Sequence, residues 1–297
     1  MTTVASSLVP GRVLRHLQAL VGDRHPRSNP QGLAAAETYI LQQFAECGLT
    51  VSSHEFEGLG GTYRNIIGTQ QGTPGDGRFT ARLPLIVAAH LDTVPDSPGA
   101  DDNASALAVL LEVAWALRHQ SLMSPVRFIA FNLEEDGLLG SRAYVAGLQQ
   151  RGEQIAGALV LECVGYASQI EGSQQIPPGV PIPVPTTGNF LAIIGNQRSA
   201  GLVTAIGHAA KQQGLTLPMV PLVVPGNGEL LPDTRRSDHS PFWDAGYPAV
   251  MLTDTANLRN PHYHQSTDTI ETLDLSFIEQ VAAVVTATVL RCTGSVD

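Results

Sequence analysis

The chain alternates short apolar runs with segments whose apolar residues recur at helical spacing, and this alternation constrains its fold more than any other feature. Strands are predicted at residues 65–69, 83–91, 126–133, 158–164, 190–194, 219–224 and 248–253. Helices are predicted at residues 9–20, 32–47, 105–119, 141–150, 201–213 and 275–290. Apolar strands that alternate with helices are typical of a sheet buried on both faces. We therefore predict an α/β fold, a three-layer α/β/α sandwich with a central mixed, mostly parallel sheet.

The length and composition favour one large domain. A chain of 297 residues with 43% hydrophobic content buries a substantial core. We predict a single domain over residues 1–297, with the helices of residues 1–50 packed on it. Residues 172–188 interrupt the pattern with five prolines. This Pro-rich loop is interpreted either as an ordered loop near the mouth of a cleft or as a surface linker.

The charge balance argues against some partners and reactions. The net charge is −10 and the pI is about 5.3, whereas binding a nucleic acid or an anionic membrane needs a concentrated basic face. We predict neither partner, and an acidic cleft that suits metals and free amines. Lys211 is the only lysine and lies in a helical segment with no Gly-rich loop before it. This argues against Schiff-base and Walker A chemistry.

The cysteines and the N-terminal residues bear on the cellular compartment. Cys47, Cys163 and Cys292 are far apart and odd in number, which favours free thiols in a reducing environment. Residues 1–23 lack the sustained apolar region of a signal peptide. The sequence also lacks an uninterrupted apolar run of about twenty residues, as a transmembrane helix requires. We expect a cytoplasmic protein, or a secreted one if a leader has been removed.

Polar side chains follow four of the apolar runs, at the strand ends where ligands bind in open α/β sheets. They are His90 and Asp92, Glu134 and Glu135, Glu162, and, beyond a loop, His262, Tyr263 and His264. A single polar residue at a strand end is usually solvated or capping, but recurrence at equivalent positions is hard to attribute to chance. Imidazole and carboxylate groups gathered in this way are the ligands of divalent metals such as zinc.

Some of these residues have competing interpretations. Asp102 lies just before the predicted helix at 105–119 and either caps that helix or binds a metal. His90 alone is more typical of a core histidine than of a ligand. The adjacent carboxylates Glu134 and Glu135 repel each other unless a cation lies close to them. A metal relieves that repulsion and leaves one carboxylate free as a general base.

Five motifs together resemble the co-catalytic di-zinc aminopeptidase family, which is typified by bacterial leucyl aminopeptidases and shares a superfamily with glutaminyl cyclase and glutamate carboxypeptidase. The motifs are His90-Leu91-Asp92, residues 99–105, residues 134–141, Ser237-Asp238-His239 with Pro241-Phe242, and Tyr263-His264-Gln265 with Asp268-Thr269. They occur in the family's order across roughly residues 60–290. The resemblance implies a phosphorylase/hydrolase-like fold of the zinc-exopeptidase type, with residues 1–297 as the catalytic domain.

The resemblance implies two zinc ions per chain, held by five side chains. Asp102 would bridge the two ions. His90 and Glu162 would complete one site, and Glu135 and His264 the other. Many members of the family carry aspartate where this chain has Glu162, and the extra methylene predicts an altered geometry or affinity at that site. The number of bound ions therefore depends on Glu162.

Three catalytic roles also follow from the resemblance. Glu134 would be the general base that acts on a zinc-bound water and passes the proton to the leaving amine. Asp92 would orient His90. Tyr263 would donate a hydrogen bond to the developing oxyanion. His239 and His262 are ranked below the ligand His264, because the motif at residues 263–265 fixes the register.

The activity that follows is that of a metal-dependent aminopeptidase, which hydrolyses the N-terminal peptide bond of peptides with a free N-terminus. A carboxypeptidase of the same fold would need cations for the substrate's terminal carboxylate, and Arg235 and Arg236 are candidates. A glutaminyl-peptide cyclotransferase normally uses one zinc. A non-catalytic binding homologue would have lost the base or some ligands, and none of these positions is missing here.

Overall fold

The computed structural model describes residues 11–73 and 82–294, which contain seven α-helices and eight strands. The helices are α1 (Arg12–Leu20), α2 (Pro30–Glu46), α3 (Ala106–Leu117), α4 (Leu139–Gln150), α5 (Ala200–Gln212), α6 (His239–Asp244) and α7 (Leu275–Thr293). The strands are β1 (Thr50–Gly58), β2 (Gly61–Gln70), β3 (Leu85–His90), β4 (Val126–Phe131), β5 (Gly157–Glu162), β6 (Leu191–Asn196), β7 (Met219–Val224) and β8 (Ala249–Thr253).

The strands form one mixed sheet in the order β1-β2-β4-β3-β5-β8-β6-β7. The four central strands β4, β3, β5 and β8 are parallel to one another. Strands β6 and β7 form another parallel pair, whereas β1–β2, β2–β4 and β6–β8 are antiparallel. Ala89 of β3 lies between Ala130 of β4 and Leu161 of β5. The carboxyl ends of the central strands therefore lie side by side, along one side of the sheet.

Alternate side chains of the central strands point to opposite faces of the sheet. Val87 and Ala89 belong to a core that includes residues of α1, α2, α3, α5 and α7. Ile86 and Ala88 belong to a second core with residues of α4 and α6. Helices thus cover both faces of a mixed sheet, and the predicted three-layer α/β/α sandwich is confirmed.

Helix α7 is apolar enough to be compared with a membrane span. It has 19 residues, and its most apolar 18-residue stretch has a mean hydropathy of 1.4, so that length and composition alone would allow it to cross a membrane. In this fold 61% of that stretch is buried, and Ile278, Val281 and Val285 lie in the core. The helix packs mainly on α3 and α5 and also contacts α1 and β3. The apolar character of α7 is therefore that of a core helix.

A buried polar cluster fixes the N-terminal helices to α3. Arg12 Nε donates a hydrogen bond to Glu112 Oε1 at 2.6 Å, and His16 Nε2 lies 3.1 Å from the same oxygen. His16 Nδ1 in turn lies 2.8 Å from the Tyr39 hydroxyl of α2. Because Glu112 is almost completely buried, losing one of these partners would leave a buried polar group unpaired and would be strongly destabilising.

Two elements were not predicted, and both lack the apolar pattern on which the prediction relied. Strand β1 lies at the edge of the sheet and is largely exposed, so its residues are mostly polar. Helix α6 has only six residues, which is too short for helical periodicity to appear. Strand β2 begins at Gly61 rather than at residue 65. The start of the helix predicted at residues 9–20 lies outside the described residues, and α1 begins at Arg12.

Candidate metal centre

The polar residues predicted at the strand ends lie together at the carboxyl edge of the central sheet. His90 and Glu162 are the last residues of β3 and β5. Glu134 and Glu135 follow β4, and His264 lies in the loop between β8 and α7. Asp102 lies in a tight turn, Ala100–Ser105, directly before α3. The level ends of three parallel strands thus bring residues from across the sequence to one place.

Asp102 lies at the middle of this cluster. His90 Nε2 is 3.1 Å from Asp102 Oδ1 and 3.5 Å from Glu162 Oε2. His264 Nε2 is 3.0 Å from Asp102 Oδ2 and 3.3 Å from Glu135 Oε1. Each oxygen of Asp102 therefore faces its own group, which consists of one imidazole and one further carboxylate.

Five buried atoms of this cluster have no hydrogen-bond partner among the residues that the structure describes. They are His90 Nε2, Asp102 Oδ1, Asp102 Oδ2, Glu135 Oε1 and His264 Nε2. Leaving one buried polar atom unpaired costs about 1–3 kcal/mol. Nitrogen and oxygen ligands about 2.0–2.1 Å from a zinc ion lie roughly 3.3 Å apart in a tetrahedral arrangement, which is close to the spacings above. The donor set therefore fits a divalent metal such as zinc.

The backbone around Asp102 is held by a second aspartate. The N–H groups of Asp101 and Asp102 donate to Asp268 Oδ1 and Oδ2, at 2.9 Å and 3.1 Å. Gly99 precedes the turn with a φ of 59°, and a side chain there would collide with the Asp102 carbonyl. The residue at the N-cap of α3 is Ser105, and Asp102 does not cap the helix. The capping interpretation of Asp102 is therefore wrong.

Asp92 contacts both sides of the cluster. Its backbone carbonyl lies 3.1 Å from His90 Nδ1, and its Oδ1 lies 3.7 Å from the same nitrogen. The carboxylate accepts the backbone N–H groups of Glu134 and Glu135, at 3.0 Å and 3.1 Å. The predicted contact with His90 is therefore made chiefly by the carbonyl, while the carboxylate positions the two glutamates. This second contact had no signal in the sequence.

The two glutamates after β4 are hard to ionise in this setting. Burial, together with the charges of Glu162 and Glu135, raises the pKa of Glu134 well above its usual value. Burial and the charge of Asp102 raise the pKa of Glu135 to about 7. Shifts of this kind arise where carboxylates are concentrated away from water. A cation at the centre would reverse them.

The imidazoles of the cluster show the opposite tendency. Burial disfavours a charge on His264, but contacts with Asp102 and Glu135 outweigh it and raise the pKa of His264 to about 10. Burial likewise opposes a charge on His90, yet the surrounding carboxylates raise its pKa well above the usual value. Burial also opposes ionisation of Asp102, but its contacts with the two imidazoles hold its pKa below the usual value. The centre thus attracts positive charge, and metal binding would release protons.

Tyr263 lies at the border of the cluster. Its ring stacks on the His264 ring, with 3.8 Å between centroids and 16° between planes. Its hydroxyl accepts a hydrogen bond from Arg236 Nη2 at 3.2 Å. Burial and the nearby carboxylates raise the pKa of Tyr263 above its usual value. The phenol therefore keeps its proton and remains a hydrogen-bond donor.

An open cavity adjoins the metal centre, and Glu162 and Tyr263 belong to both; together with the solvent-filled space at its mouth it measures about 830 Å³. Its walls are mostly apolar and come chiefly from β6, β7, β8 and the Pro-rich loop at residues 172–188; they include Pro177, Ile182, Val184, Phe190, Ala192 and Met251. Gln174 anchors that loop: its Nε2 donates to Thr255 Oγ1 at 2.9 Å, and its Oε1 accepts from Arg259 Nε at 2.9 Å. The Pro-rich loop is therefore a fixed wall of the cavity.

The two histidines ranked below His264 contact other groups. His262 Nδ1 lies 2.9 Å from the Thr267 hydroxyl. His239 is buried, with its Nε2 2.8 Å from the Thr234 carbonyl and its ring edge-on to Trp243. Among the described residues, the histidines that contact the Asp102 carboxylate are His90 and His264.

Three residues without a predicted role support the centre. Ser237 Oγ donates to Glu162 Oε2 at 2.7 Å and orients that carboxylate. Asp268 holds the turn at Asp102, and the charge of the buried Asp238 helps to raise the pKa of Glu134. All three lie in the motifs quoted above. Because they follow loops rather than apolar strands, the search for polar residues at strand ends does not find them.

The fold and the cluster define the class of protein: a hydrolase of the metallopeptidase type. Residues 65–289 match the model of peptidase family M28, which covers most of the chain and all of the cluster residues. The chain belongs to this family. The fold and the family resemblance expected from the sequence are thereby confirmed.

Two relatives illustrate the range of similarity. The Escherichia coli protein YfbL is 31% identical over 288 residues, which cover 92% of this chain and 85% of YfbL. The aminopeptidase YwaD of Bacillus subtilis is 29% identical over 209 residues, which cover 69% of this chain but only 40% of YwaD. The chain thus spans less than half the length of that aminopeptidase.

Solved structures share the fold. An aminopeptidase from Aneurinibacillus sp. strain AM-1 matches with a TM-score of 0.74 and 18% identity, over 99% of this chain and 96% of that one. BSAP, a zinc aminopeptidase from Bacillus subtilis, matches with a TM-score of 0.59 and 28% identity, over 78% of this chain and 50% of that one. A glutaminyl cyclase from Porphyromonas gingivalis matches with a TM-score of 0.67 and 20% identity, over 96% of each chain.

Proposed function

We propose that this chain is an aminopeptidase that binds two zinc ions and hydrolyses the N-terminal peptide bond of peptides. One observation carries the proposal: five unpaired buried atoms form two groups around Asp102. A sixth residue, Glu134, lies beside these groups without being one of the proposed ligands. The ligands are His90, Asp102, Glu135, Glu162 and His264. The aminopeptidase YwaD and the zinc aminopeptidase BSAP, both similar to this chain, support the same activity.

The residues of the chain suit peptide hydrolysis. Bound zinc would polarise the substrate carbonyl and lower the pKa of water. Glu134 would accept a proton from water and give it to the leaving amine. Asp92 holds the backbone of Glu134 in place. The Tyr263 hydroxyl would donate a hydrogen bond to the carbonyl oxygen as that oxygen gains charge.

The surroundings of the centre favour a free N-terminus as the group recognised. Carboxylates line the centre and would attract the ammonium group of a peptide. The apolar cavity begins at Glu162 and offers space for the side chain of the N-terminal residue. We therefore propose apolar N-terminal residues as the preferred ones. The cytoplasmic location expected from the sequence stays a prediction.

The test uses the tripeptide Leu-Gly-Phe in free and N-acetylated form. We expect the zinc-loaded protein to release leucine from the free peptide and nothing from the acetylated one. A chelator should abolish the release, and added zinc should restore it. Cleavage that survives complete removal of metal would contradict the proposal.

The same assay separates the alternatives of this fold. Release of phenylalanine from both peptides would identify a carboxypeptidase. Release of ammonia from an N-terminal glutaminyl peptide, without release of leucine, would identify a cyclase. Failure of all three reactions in protein that contains zinc would indicate a binding homologue.

A further inference from the structure

Two consecutive arginines lie beside the cavity, and their surroundings differ. Arg235 Nη2 lies 2.9 Å from each carboxylate oxygen of Asp244. Its Nη1 donates to the Asn227 carbonyl at 2.7 Å. The charge of Arg235 is therefore balanced by Asp244, because both carboxylate oxygens of Asp244 contact the guanidinium group.

Arg236 contacts mainly neutral groups. Its Nη1 donates to Asn257 Oδ1 at 2.7 Å, and its Nη2 donates to the Tyr263 hydroxyl at 3.2 Å. Within the described part of the chain its one ion pair is with Asp233, at 3.8 Å, and the two side chains are 44% and 48% exposed. An exposed ion pair at that distance contributes little to the stability of the protein. The charge of Arg236 is thus available to a ligand.

Arg236 lies where its charge can act on a ligand in the cavity. Arg236, Asn257 and Tyr263 all line the apolar cavity. The guanidinium carbon lies 5.7 Å from the centroid of the Tyr263 ring, and that ring stacks on His264 at the metal centre. The Tyr263 ring therefore lies between the guanidinium group of Arg236 and His264, a proposed zinc ligand. A substrate that occupied both the centre and the cavity would contact the wall to which Arg236 belongs.

We infer that Arg236 binds a carboxylate of the substrate, so that the preferred substrates are short peptides with an apolar N-terminal residue and a carboxylate close to the scissile bond. The inference rests on the proposed function. Guanidinium groups bind carboxylates through two parallel hydrogen bonds. The carboxylate has two possible sources: the C-terminus of a dipeptide, or an acidic side chain at the second residue.

The experiment compares four substrates: Leu-Leu, Leu-Leu amide, Leu-Glu amide and Leu-Gln amide. The first two differ only in the terminal carboxylate, and the last two only in an acidic side chain. We expect the wild-type protein to have a higher kcat/KM for the acidic member of one pair. The Arg236→Gln variant should lower that acid-to-amide ratio roughly 10- to 100-fold, mainly through KM. The substrate pair whose acid-to-amide ratio falls in the variant shows whether Arg236 binds a C-terminal carboxylate or an acidic side chain.

Arg235→Gln is the matched control, because it removes a neighbouring cation whose charge is already balanced. It should leave the acid-to-amide ratios unchanged. Arg236→Lys keeps the charge without the planar fork and should restore only part of the ratio. Because Arg236 is half-exposed, its two variants should melt at the wild-type temperature.

Two results would overturn the inference. An unchanged ratio in Arg236→Gln, whether or not overall activity falls, would show that Arg236 serves only to position Tyr263. An equal fall in Arg235→Gln would show a general effect of charge. If the wild-type protein cleaves none of the four peptides, the proposed function itself fails, and the inference fails with it.

Discussion

The metal centre and the apolar cavity share Glu162 and Tyr263 but are built in opposite ways. The centre consists of charged groups at the ends of the central strands, and several of its atoms lack partners within the described part of the chain. The cavity is lined by β6, β7, β8 and the Pro-rich loop, and the polar anchor of that loop, Gln174, is fully engaged in hydrogen bonds. Unpaired nitrogen and carboxylate atoms suit a cation, whereas mostly apolar walls suit an apolar side chain, and the proposed function assigns one to each region.

Two histidines show the same contrast. Contacts with carboxylates raise the pKa of His264 to about 10 despite burial. Burial lowers the pKa of His239 to about 4; its ring contacts the Thr234 carbonyl and Trp243 rather than a carboxylate. One residue type therefore responds in opposite directions, because the surroundings of the two rings stabilise opposite charge states.

The largest expected effect separates chemistry from metal binding at the centre. Glu134→Gln should lower kcat for leucyl peptides by about 10²- to 10⁴-fold, because the amide cannot accept the proton. The zinc content should stay at the wild-type value, since Glu134 is not a proposed ligand. Glu171→Gln, at an exposed position, is the control. Full activity in the Glu134→Gln variant would show that Glu134 is not the general base.

A second substitution tests how the centre is held together. Asp92 accepts two backbone N–H groups through its two carboxylate oxygens, and an asparagine can accept only one. Asp92→Asn should therefore lower kcat/KM by about 10- to 100-fold, with weaker zinc binding. Asp96→Asn, at an exposed position nearby, should change neither quantity. Equal behaviour of the two variants would contradict the positioning role of Asp92.

The cavity is tested by filling it rather than by removing a charge. Ala192 lies on β6 in the cavity wall, and Ala192→Met would project into the space proposed for the N-terminal side chain. The ratio of kcat/KM for leucyl over alanyl peptides should fall about tenfold. Zinc content should not change. A ratio that stays constant would place the substrate's side chain elsewhere.

The last expected effect concerns His239 and changes stability rather than activity. Burial lowers the pKa of His239 from its usual value of 6.5 to about 4 in the folded state, so the unfolded chain binds a proton first as the pH falls. The stabilisation that comes from the neutral ring is complete above pH 6.5 and is lost as the pH falls towards 4. Over this range, urea unfolding should show a smaller loss of stability for His239→Gln than for the wild-type protein, by about 3 kcal/mol. Parallel pH profiles would exclude this contribution.

The sequence predicts the parts of the molecule that depend on local pattern. The central strands were predicted because they are buried on both faces and apolar throughout. Strand β1 was missed because an edge strand can be polar. The convergence of His90 with Glu162 was predictable because level parallel strands bring their ends together. The effect of the longer side chain of Glu162 was not predictable in the same way. It depends on the hydrogen bond from Ser237, which lies 75 residues away in the sequence.

The cavity could not be predicted for a related reason. Its lining comes from loops and strands that meet only in the folded chain, and apolar residues there look like any other core residues. Arg235 and Arg236 were equivalent candidates in the sequence. Only their partners, Asp244 for one and the neutral Asn257 for the other, distinguish them. Contacts of this kind are set by tertiary packing and leave no pattern in neighbouring residues.

The central claim is that Asp102 links two zinc sites, and counting metal ions tests it most directly. Zinc per chain should be measured by mass spectrometry for the wild-type protein and for His264→Ala, after equilibration with zinc and removal of the excess. We predict two ions in the wild-type protein and one in the variant, which loses a ligand of one group only. A wild-type protein that is fully active with one ion or none, or a variant that keeps two, would contradict the account.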